Sequence, residues 1–490
     1  MHALPEPAAP LLLRRGEEVL FRRPGLTVSA DAFLAAATRL AASLPAAPSM
    51  VNLCRDRLHV ALGFAAALLR GQVSILAGVP TASELAQFPA RFPGAYALVE
   101  PDGLAAHTLA AHTLAGGALP LHRLAPPDWS HPLPGTAPGA AMPMIPSSRR
   151  AAIVLTSGTT GDPVAHEKSW GGLLARSLTS ARRFGLAAEP AASVVGTVPS
   201  QHMYGFESTL LIAFHAPVAS YCGEPFYPAD IAAALAAVPA PRWLVTTPLH
   251  LRALLAARPG LPPLAGIISA TAPLEAAAAQ AAERAFAAPV FEIFGATEIG
   301  AIATRRAGAD APWQVYDNLR LEPRAEGIAV HAPGAAPGLI ADLVELVDPT
   351  HFRLLGRLED VVKRAGKRVS LAALNQALTG IDGVIDGVFV APEDLEARPQ
   401  ARLSAFVVAP ERSAAEIRAA LRLRIDPTFM PRRIIKLDRL PRNAVGKLPR
   451  AALAGLALAE PTLAQPGLAS PALASPGPAP PGSGEGAGQG

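Results

Sequence analysis

Residues 155–170 read LTSGTTGDPVAHEKSW, and within them Thr156, Ser157, Gly158, Thr159, Thr160 and Gly161 place four hydroxyls and two glycines in a row. The apolar run AAIVLT (151–156) ends in this cluster, which predicts a buried strand opening into a loop of exposed N–H groups and hydroxyls. Glycine lets several amides turn toward one anion, so the chemistry this suggests is phosphate binding; a plain polar turn between strand and helix is the competing reading. The commonest nucleotide loop, G-x-x-x-x-G-K-[ST], is excluded, because Glu167 stands at the glycine position before Lys168 and Ser169. Three other stretches carry residues of the same chemical kind. FGATEIG (294–300) follows a strand-like run with a glycine and then sets a hydroxyl beside a carboxylate. GRLEDVVKRAGKRVS (356–370) is rich in charge, and PRNAVGKLPR (441–450) puts a single lysine, Lys447, on a glycine-containing loop.

These stretches need elements to hold them. From about 150 to 300, the strand-like runs AAIVLT, ASVVGTVP (192–199), WLVTT (243–247), AGIISA (265–270) and PVFEIFG (289–295) alternate with helical patterns such as LLARSLTSARRF (173–184) and LEAAAAQAAERAF (274–286). Strand and helix in alternation predict an α/β fold with a mostly parallel sheet and helices on both faces. Ligands in such sheets sit at the carboxyl ends of strands, where the 156–161 and 294–298 loops both fall. After about 340 the texture changes: ADLVELVD, FRLLGR, GKRVSLAALNQAL, DGVFVA, RLSAFVVA, EIRAALRLR and RRIIKL predict a small α+β domain. The Pro/Gly/Ser/Ala-rich tail from about 460 cannot bury a core and reads as disordered.

Composition bounds the function classes. The chain has 490 residues, half of them hydrophobic, with 43 Lys+Arg against 39 Asp+Glu. A net charge of +4 over that length argues for neither a nucleic-acid partner nor a membrane surface. Cys54 and Cys222, the two cysteines, support neither a disulfide framework nor a cysteine metal site, which fits a reducing cytoplasm. No signal-peptide pattern opens the sequence. The most apolar window, residues 59–79, is broken by Arg70, Gly71 and Gln72, so it predicts a buried helix turning into a strand and no membrane span.

Taken together, TSGTTG, FGATE, the 356–370 stretch and PRNAVGK resemble the AMP-forming adenylating enzymes: acyl- and aryl-CoA synthetases, nonribosomal peptide adenylation domains and firefly luciferase. The resemblance covers about residues 20 to 455, with the motifs in the family's order and spacing. It implies a large N-terminal domain of layered, mostly parallel sheets and helices over residues 1–356, which binds ATP and acid. It also implies a small mobile C-terminal α+β domain over 357–458 that carries the catalytic lysine, leaving 459–490 as the tail. The implied reaction is attack of a carboxylate on the α-phosphate of ATP, giving an acyl-adenylate and pyrophosphate, followed by transfer of the acyl group to a thiol. Anionic nucleophile and anionic electrophile then require preorganised positive charge and hydrogen-bond donors.

By resemblance, Thr156 to Gly161 close over the β- and γ-phosphates, Thr297 hydrogen-bonds the α-phosphate, and Glu298 holds Mg²⁺. Ala270, Thr271 and Ala272 with Phe294 and Gly295 border the nucleotide, Phe294 standing where the family usually has Tyr. Asp342, 14 residues before Gly356, fits the acid that accepts the ribose hydroxyls, although Ile340-Ala341 replaces the usual Thr-Gly; Arg357 matches a nucleotide-contacting arginine. Lys447 matches the lysine that bridges carboxylate and α-phosphate. Glu359 occupies the hinge position, and Gly366 borders the pantetheine tunnel. Two departures stand out: Val164-Ala165 replaces the usual Lys-Gly after GDP, with Lys168 four residues on, and ATAPL (270–274) replaces Gly-Gly-Ala-Pro-Leu.

VPSQHMYGFE (198–207) matches the family's P-x-x-H-x-x-G stretch, which puts His202 with Gly205 and Ser269 at the acyl pocket; a packed, hydrogen-bonded histidine at a helix start is the competing reading. The variant TSGTTG…HEKSW with FRLLGR and GKRVSL is similar to a bacterial subgroup of fatty-acid and aryl polyene pathways. That implies a fatty or aromatic acid as small-molecule substrate, with CoA or a phosphopantetheinylated acyl carrier protein as co-substrate. Residues 401–450 hold twelve Lys/Arg against four Asp/Glu, so a basic face could steer an acidic carrier protein, or be a solvated face. Two alternatives stay open: an amino-acid adenylating enzyme with Glu207 near the substrate ammonium, and a non-catalytic nucleotide- or acyl-binding relative. His107 and His112, five apart in a local duplication, do not suit a helical metal pair, and Cys54 reads as a small buried hydrophobe.

Overall fold

The computed structural model of the chain describes residues 6–78, 80, 82–100, 119–125, 127–129, 141–156, 164–309, 311–324, 327–332, 337–340, 342–357, 361–364, 367–392, 402–442 and 448. Its backbone is an eleven-stranded sheet running from Asp342–Asp348 through His351–Arg357, Trp313–Val315, Gly300–Arg306, Val290–Ala296, Gly266–Ser269, Arg242–Thr246, Ala192–Gly196, Val218–Tyr221 and Val19–Arg23 to Leu26–Ser29. The stretch from Val290–Ala296 to Val19–Arg23 is parallel and both flanks are antiparallel. Val194, Val195, Leu244, Val245, Ile267 and Ile268 are buried on both faces, as a parallel sheet covered by helices requires. Because these strands run one way, Gly196, Thr246 and Ser269 come to one edge, with Thr246 in register with Ser269.

A second sheet of six strands orders Val164–Ser169, Arg150–Thr156, Val73–Leu76, Ser49–Asn52, Tyr96–Val99 and Leu121–Arg123, parallel except at the Val164–Ser169 edge. The apolar window resolves into the helix Arg57–Leu69 and the strand Val73–Leu76, and no described helix is long and apolar enough to cross a membrane. Toward the C-terminus, Asp386–Val390, Ser404–Val408 and Arg433–Lys436 form a separate three-stranded sheet. The helices Leu371–Thr379 and Ala414–Arg422 close its own core around Leu374, Phe389, Val407, Ile417 and Leu421.

Two strands differ from the reading of the sequence. Val164–Ser169 is not an approach to a helix but the returning arm of a hairpin, antiparallel to Arg150–Thr156. As an edge strand it keeps polar residues outward, and its one fully buried position is a lysine, so no apolar alternation betrays it. Likewise Gly300–Arg306 returns antiparallel against Val290–Ala296, which makes FGATEIG a hairpin turn.

Candidate active site

The phosphate-binding candidate sits at a hairpin tip. Thr156 pairs with Val164, and Leu155 with Ala165, so the strands clamp the ends of the loop; Ser157, Gly158, Thr159, Thr160 and Gly161 themselves lie outside the described residues. Val164-Ala165, which replaces the usual Lys-Gly, is exposed backbone at the start of the returning arm. Lys168 lies further along that arm, in register with Ala152, and is only 7 % exposed. Its Nζ donates to the main-chain oxygen of Glu298 at 2.7 Å, so the ammonium crosses from this hairpin to the FGATEIG hairpin. Burial lowers the Lys168 ammonium to about 8, with Glu207 and Glu298 pulling upward and Arg176 downward.

The FGATEIG turn is held from several sides. Ala296 faces Gly300 across the hairpin, and the Ile299 N–H donates to the Ala296 oxygen at 3.0 Å. Gly300 has φ +102°, and a Cβ there would stand 2.6 Å from Glu207 Oε1, so the turn needs glycine. Glu207, buried in the helical segment Phe206–Leu211, accepts from the Ala301 N–H at 3.1 Å, while its Oε1 lies 4.0 Å from Arg176 Nε. Arg176, on the helix Trp170–Arg183, donates to the Ala301 oxygen at 2.7 Å. Burial raises the Glu207 carboxyl against the pull of Arg176 and Lys168. Within this frame Thr297 is half-buried and the Glu298 carboxylate is exposed.

Beside the residues expected at the acyl pocket, Tyr204 ties the 202–205 stretch to the strand ends. Its hydroxyl contacts the Thr246 oxygen at 3.1 Å and the Ile268 oxygen at 2.9 Å, next to Ser269. His202 caps the short helix Met203–Gly205 by accepting from the Tyr204 N–H at 3.3 Å, and is itself half-buried. The helix-start reading of His202 therefore describes its local bond, and the same bond aims the ring. Gly205 packs against Pro199, whose carbonyl a Cβ would strike. Ser269 is fully buried, with no partner for its Oγ among the described residues. The loop that follows bends at Thr271, which has φ +81°.

Arg57, which no motif singles out, organises the approach to this stretch. Fully buried, it donates to the oxygens of Gly196 (3.3 Å), Val198 (3.0 Å), Tyr221 (2.7 Å) and Gly223 (3.0 Å), and to Ser200 Oγ (3.2 Å). The available signal was an arginine immediately after the helix cap Asp56, at the head of an otherwise apolar helix. Arg176 and Tyr204 carry even less signal, because their partners lie far away in the chain; Lys168 is visible as a displaced lysine, but its partner Glu298 is not.

Of the residues expected to border the nucleotide, Phe294 is fixed by Trp313 and Phe352, with ring centroids 5.7 and 5.6 Å away. Asp342 opens its strand directly opposite Arg357 in the antiparallel register. Lys447, Glu359 and Gly366 lie outside the described residues, as do His107, His112 and the tail. Cys54 is fully buried and its thiol is pushed well up by burial, as a packed small hydrophobe would be.

The described geometry sets the Thr297 hydroxyl and the exposed Glu298 carboxylate on a turn after the strand Val290–Ala296, tied by Lys168 to the hairpin arm that pairs with Arg150–Thr156. The family profile described as AMP-binding enzyme matches residues 112–321. The chain is 30 % identical over 281 residues to a 4-coumarate–CoA ligase of Rhodobacter capsulatus, an overlap of 57 % of this chain and 69 % of that protein. Its fold is similar to ATP-bound MatB from Rhodopseudomonas palustris (TM-score 0.73, 21 % identity, 88 % of this chain and 94 % of that one). It is also similar to the anthranilate CoA ligase AuaEII in complex with anthranoyl-AMP (TM-score 0.76, 16 % identity, 92 % and 98 %). The chain belongs to the AMP-binding, AMP-forming adenylating enzymes, and within them it is an acid–thiol ligase that uses ATP.

Proposed function

We propose that the acid is aromatic or fatty, that it is adenylated with Mg-ATP at the hairpin pair described above, and that the acceptor is the phosphopantetheine thiol of CoA or of an acyl carrier protein. The observation that supports this reading is the direct bond between the two hairpins, Lys168 Nζ to the Glu298 oxygen, which ties the Val164–Ser169 arm, paired with Thr156 at its head, to the Thr297–Glu298 turn. The names of the relatives, 4-coumarate and anthranilate ligases, support the aromatic member of the pair. A divalent cation suits the site, because Mg²⁺ takes one or two carboxylates together with substrate phosphates, and Glu298 offers an exposed carboxylate on a rigid turn. When bound, it would neutralise charge on the phosphate oxygens.

The residues then divide the work. The 156–161 loop holds the β- and γ-phosphates through its amides and hydroxyls, and Thr297 donates to the α-phosphate. The carboxylate oxygen of the acid forms a bond to the α-phosphorus while the bond to the bridging oxygen of pyrophosphate breaks. Lys447, on the C-terminal domain, bridges the two anions as charge redistributes; losing one such donor costs about 10²–10³ in rate. Asp342 accepts from the ribose, Arg357 contacts the nucleotide, and Phe294 with Ala270, Thr271, Ala272 and Gly295 borders the adenine. His202, Gly205 and Ser269 border the acyl group. In the second step the C-terminal domain (357–458) turns at Glu359, the thiol arm passes Gly366, sulfur bonds to the acyl carbon, and AMP leaves. The basic balance of 401–450 favours an acidic carrier or the phosphates of CoA. Glu207 is engaged by Ala301 through Oε2 and flanked by Arg176 at 4.0 Å, while its buried Oε1 has no hydrogen-bond partner among the described residues, which is the one feature that suits an amino-acid substrate as the second reading.

The test is pyrophosphate release from Mg-ATP over benzoic, cinnamic, fatty and amino acids, with wild type beside Lys447→Ala. Release specific to aromatic or fatty acids, lost in the variant, is the expected result. Release with amino acids alone would transfer the reading to an amino-acid adenylating enzyme. ATP binding without release from any acid would make the chain a non-catalytic relative.

A further inference from the structure

We propose that Lys168 is a positioning residue for the Thr297–Glu298 turn: it locks that turn to the phosphate-loop hairpin, so that the hydroxyl and carboxylate of the turn meet the phosphates in one fixed geometry. The proposal rests on the reading of function just given and deepens it.

The argument begins with where the lysine is. On the returning arm Val164–Ser169 it is the one fully buried residue, although lysine is among the residues least often buried. Its ammonium does not follow the loop but reaches across to the Glu298 carbonyl at 2.7 Å. The contact is to the main chain, so the Glu298 carboxylate stays exposed while its peptide plane is fixed. The rest of the turn is pinned independently. Ile299 N–H bonds to the Ala296 oxygen, Glu207 accepts from the Ala301 N–H, and Arg176 donates to the Ala301 oxygen. Lys168 closes the remaining side, toward the phosphate loop. Outer partners of this kind hold first-contact groups in productive geometry, and their removal typically costs about 10–100-fold in affinity or activity. The Lys168 ammonium bonds the Glu298 carbonyl and not Glu207, whose Oε2 accepts from the Ala301 N–H and whose buried Oε1, 4.0 Å from Arg176 Nε, has no hydrogen-bond partner among the described residues.

Lys168→Met keeps the length and packing of the side chain and removes its donors. Removing one charge beside the buried Glu207 carboxyl costs stability, so a functional loss is read only in protein that thermal melting shows to be folded. Wild type, K168M and K168R are compared by thermal melting, by calorimetric titration with Mg-ATP in the absence of acid, and by steady-state pyrophosphate release. The expected result is a folded K168M whose Kd and KM for Mg-ATP rise about 10–100-fold while its KM for the acid is unchanged. K168R, which can still donate to the carbonyl, should recover part of the loss. A folded K168M with unchanged Mg-ATP Kd and KM would overturn the proposal, as would a rise in the acid KM equal to that for ATP. If K168M does not fold, K168Q takes its place; failure of both to fold would assign the lysine to the fold and equally overturn the proposal. Wild-type protein that binds Mg-ATP but turns over no acid would defeat the reading of function, while the calorimetric comparison would still judge Lys168.

Discussion

Thr271 shows what the departure from Gly-Gly means at the scale of one residue. Its φ of +81° lies in the left-handed region, where a β-branched side chain is strained and glycine is at ease. Strain of this sort costs about 1–3 kcal/mol and persists where the surroundings impose it. Here it falls two residues after Ser269, just beyond the strand edge shared with Thr246 and close in sequence to the Ile268 carbonyl that receives the Tyr204 hydroxyl. Thr271→Gly removes the strain and adds glycine's unfolded-state entropy, which offsets about 1 kcal/mol of the gain. We therefore expect a net stabilisation of up to about 1 kcal/mol, read from urea unfolding midpoints. Thr271→Val, which keeps the branched Cβ, should show no such gain.

At the scale of elements, the helix Trp170–Arg183 and the helical run ending at His215 couple the two large sheets. Trp170 begins the first of these, immediately after the hairpin arm that carries Lys168, and its ring centroid lies 5.3 Å from that of His215. Burial holds the His215 imidazole down at about 3, so it is neutral when folded and charges only on unfolding. The folded value lies below the unfolded one of about 6.5, so the stability tied to this group is complete above about 6.5 and is lost as pH falls toward about 3. Across that window the wild type should lose about 1.4 kcal/mol per pH unit more than His215→Leu. Unfolding by urea at several pH values checks this; parallel pH profiles for the two proteins would refute it.

Across the whole molecule, what was legible in the sequence followed from where the information lies. Runs such as WLVTT and AGIISA announce themselves because strands buried on both faces must be continuously apolar, and they appear as Arg242–Thr246 and Gly266–Ser269. The window 59–79 was readable for the same reason. The arms Val164–Ser169 and Gly300–Arg306 were not, because an edge strand with a buried lysine, and a strand opening on glycine, carry no periodic apolar signal. At the site, Thr297, Glu298, His202 and Asp342 could be named from local motifs. The groups that hold them, Arg57, Arg176 and Tyr204, act through contacts 42 to 166 residues away and have no local signature, while Lys168, visible in the sequence as a displaced lysine, reaches a partner 130 residues on. The account as a whole claims that these supports assemble a site for acid adenylation, a reversible step that needs no thiol. The most direct measurement is acid-dependent exchange of labelled pyrophosphate into ATP by the intact chain, without CoA or carrier protein. The account predicts exchange that requires an aromatic or fatty acid and Mg²⁺ and is abolished in Glu298→Ala. Exchange that never depends on an acid, or that survives unchanged in Glu298→Ala, would contradict it.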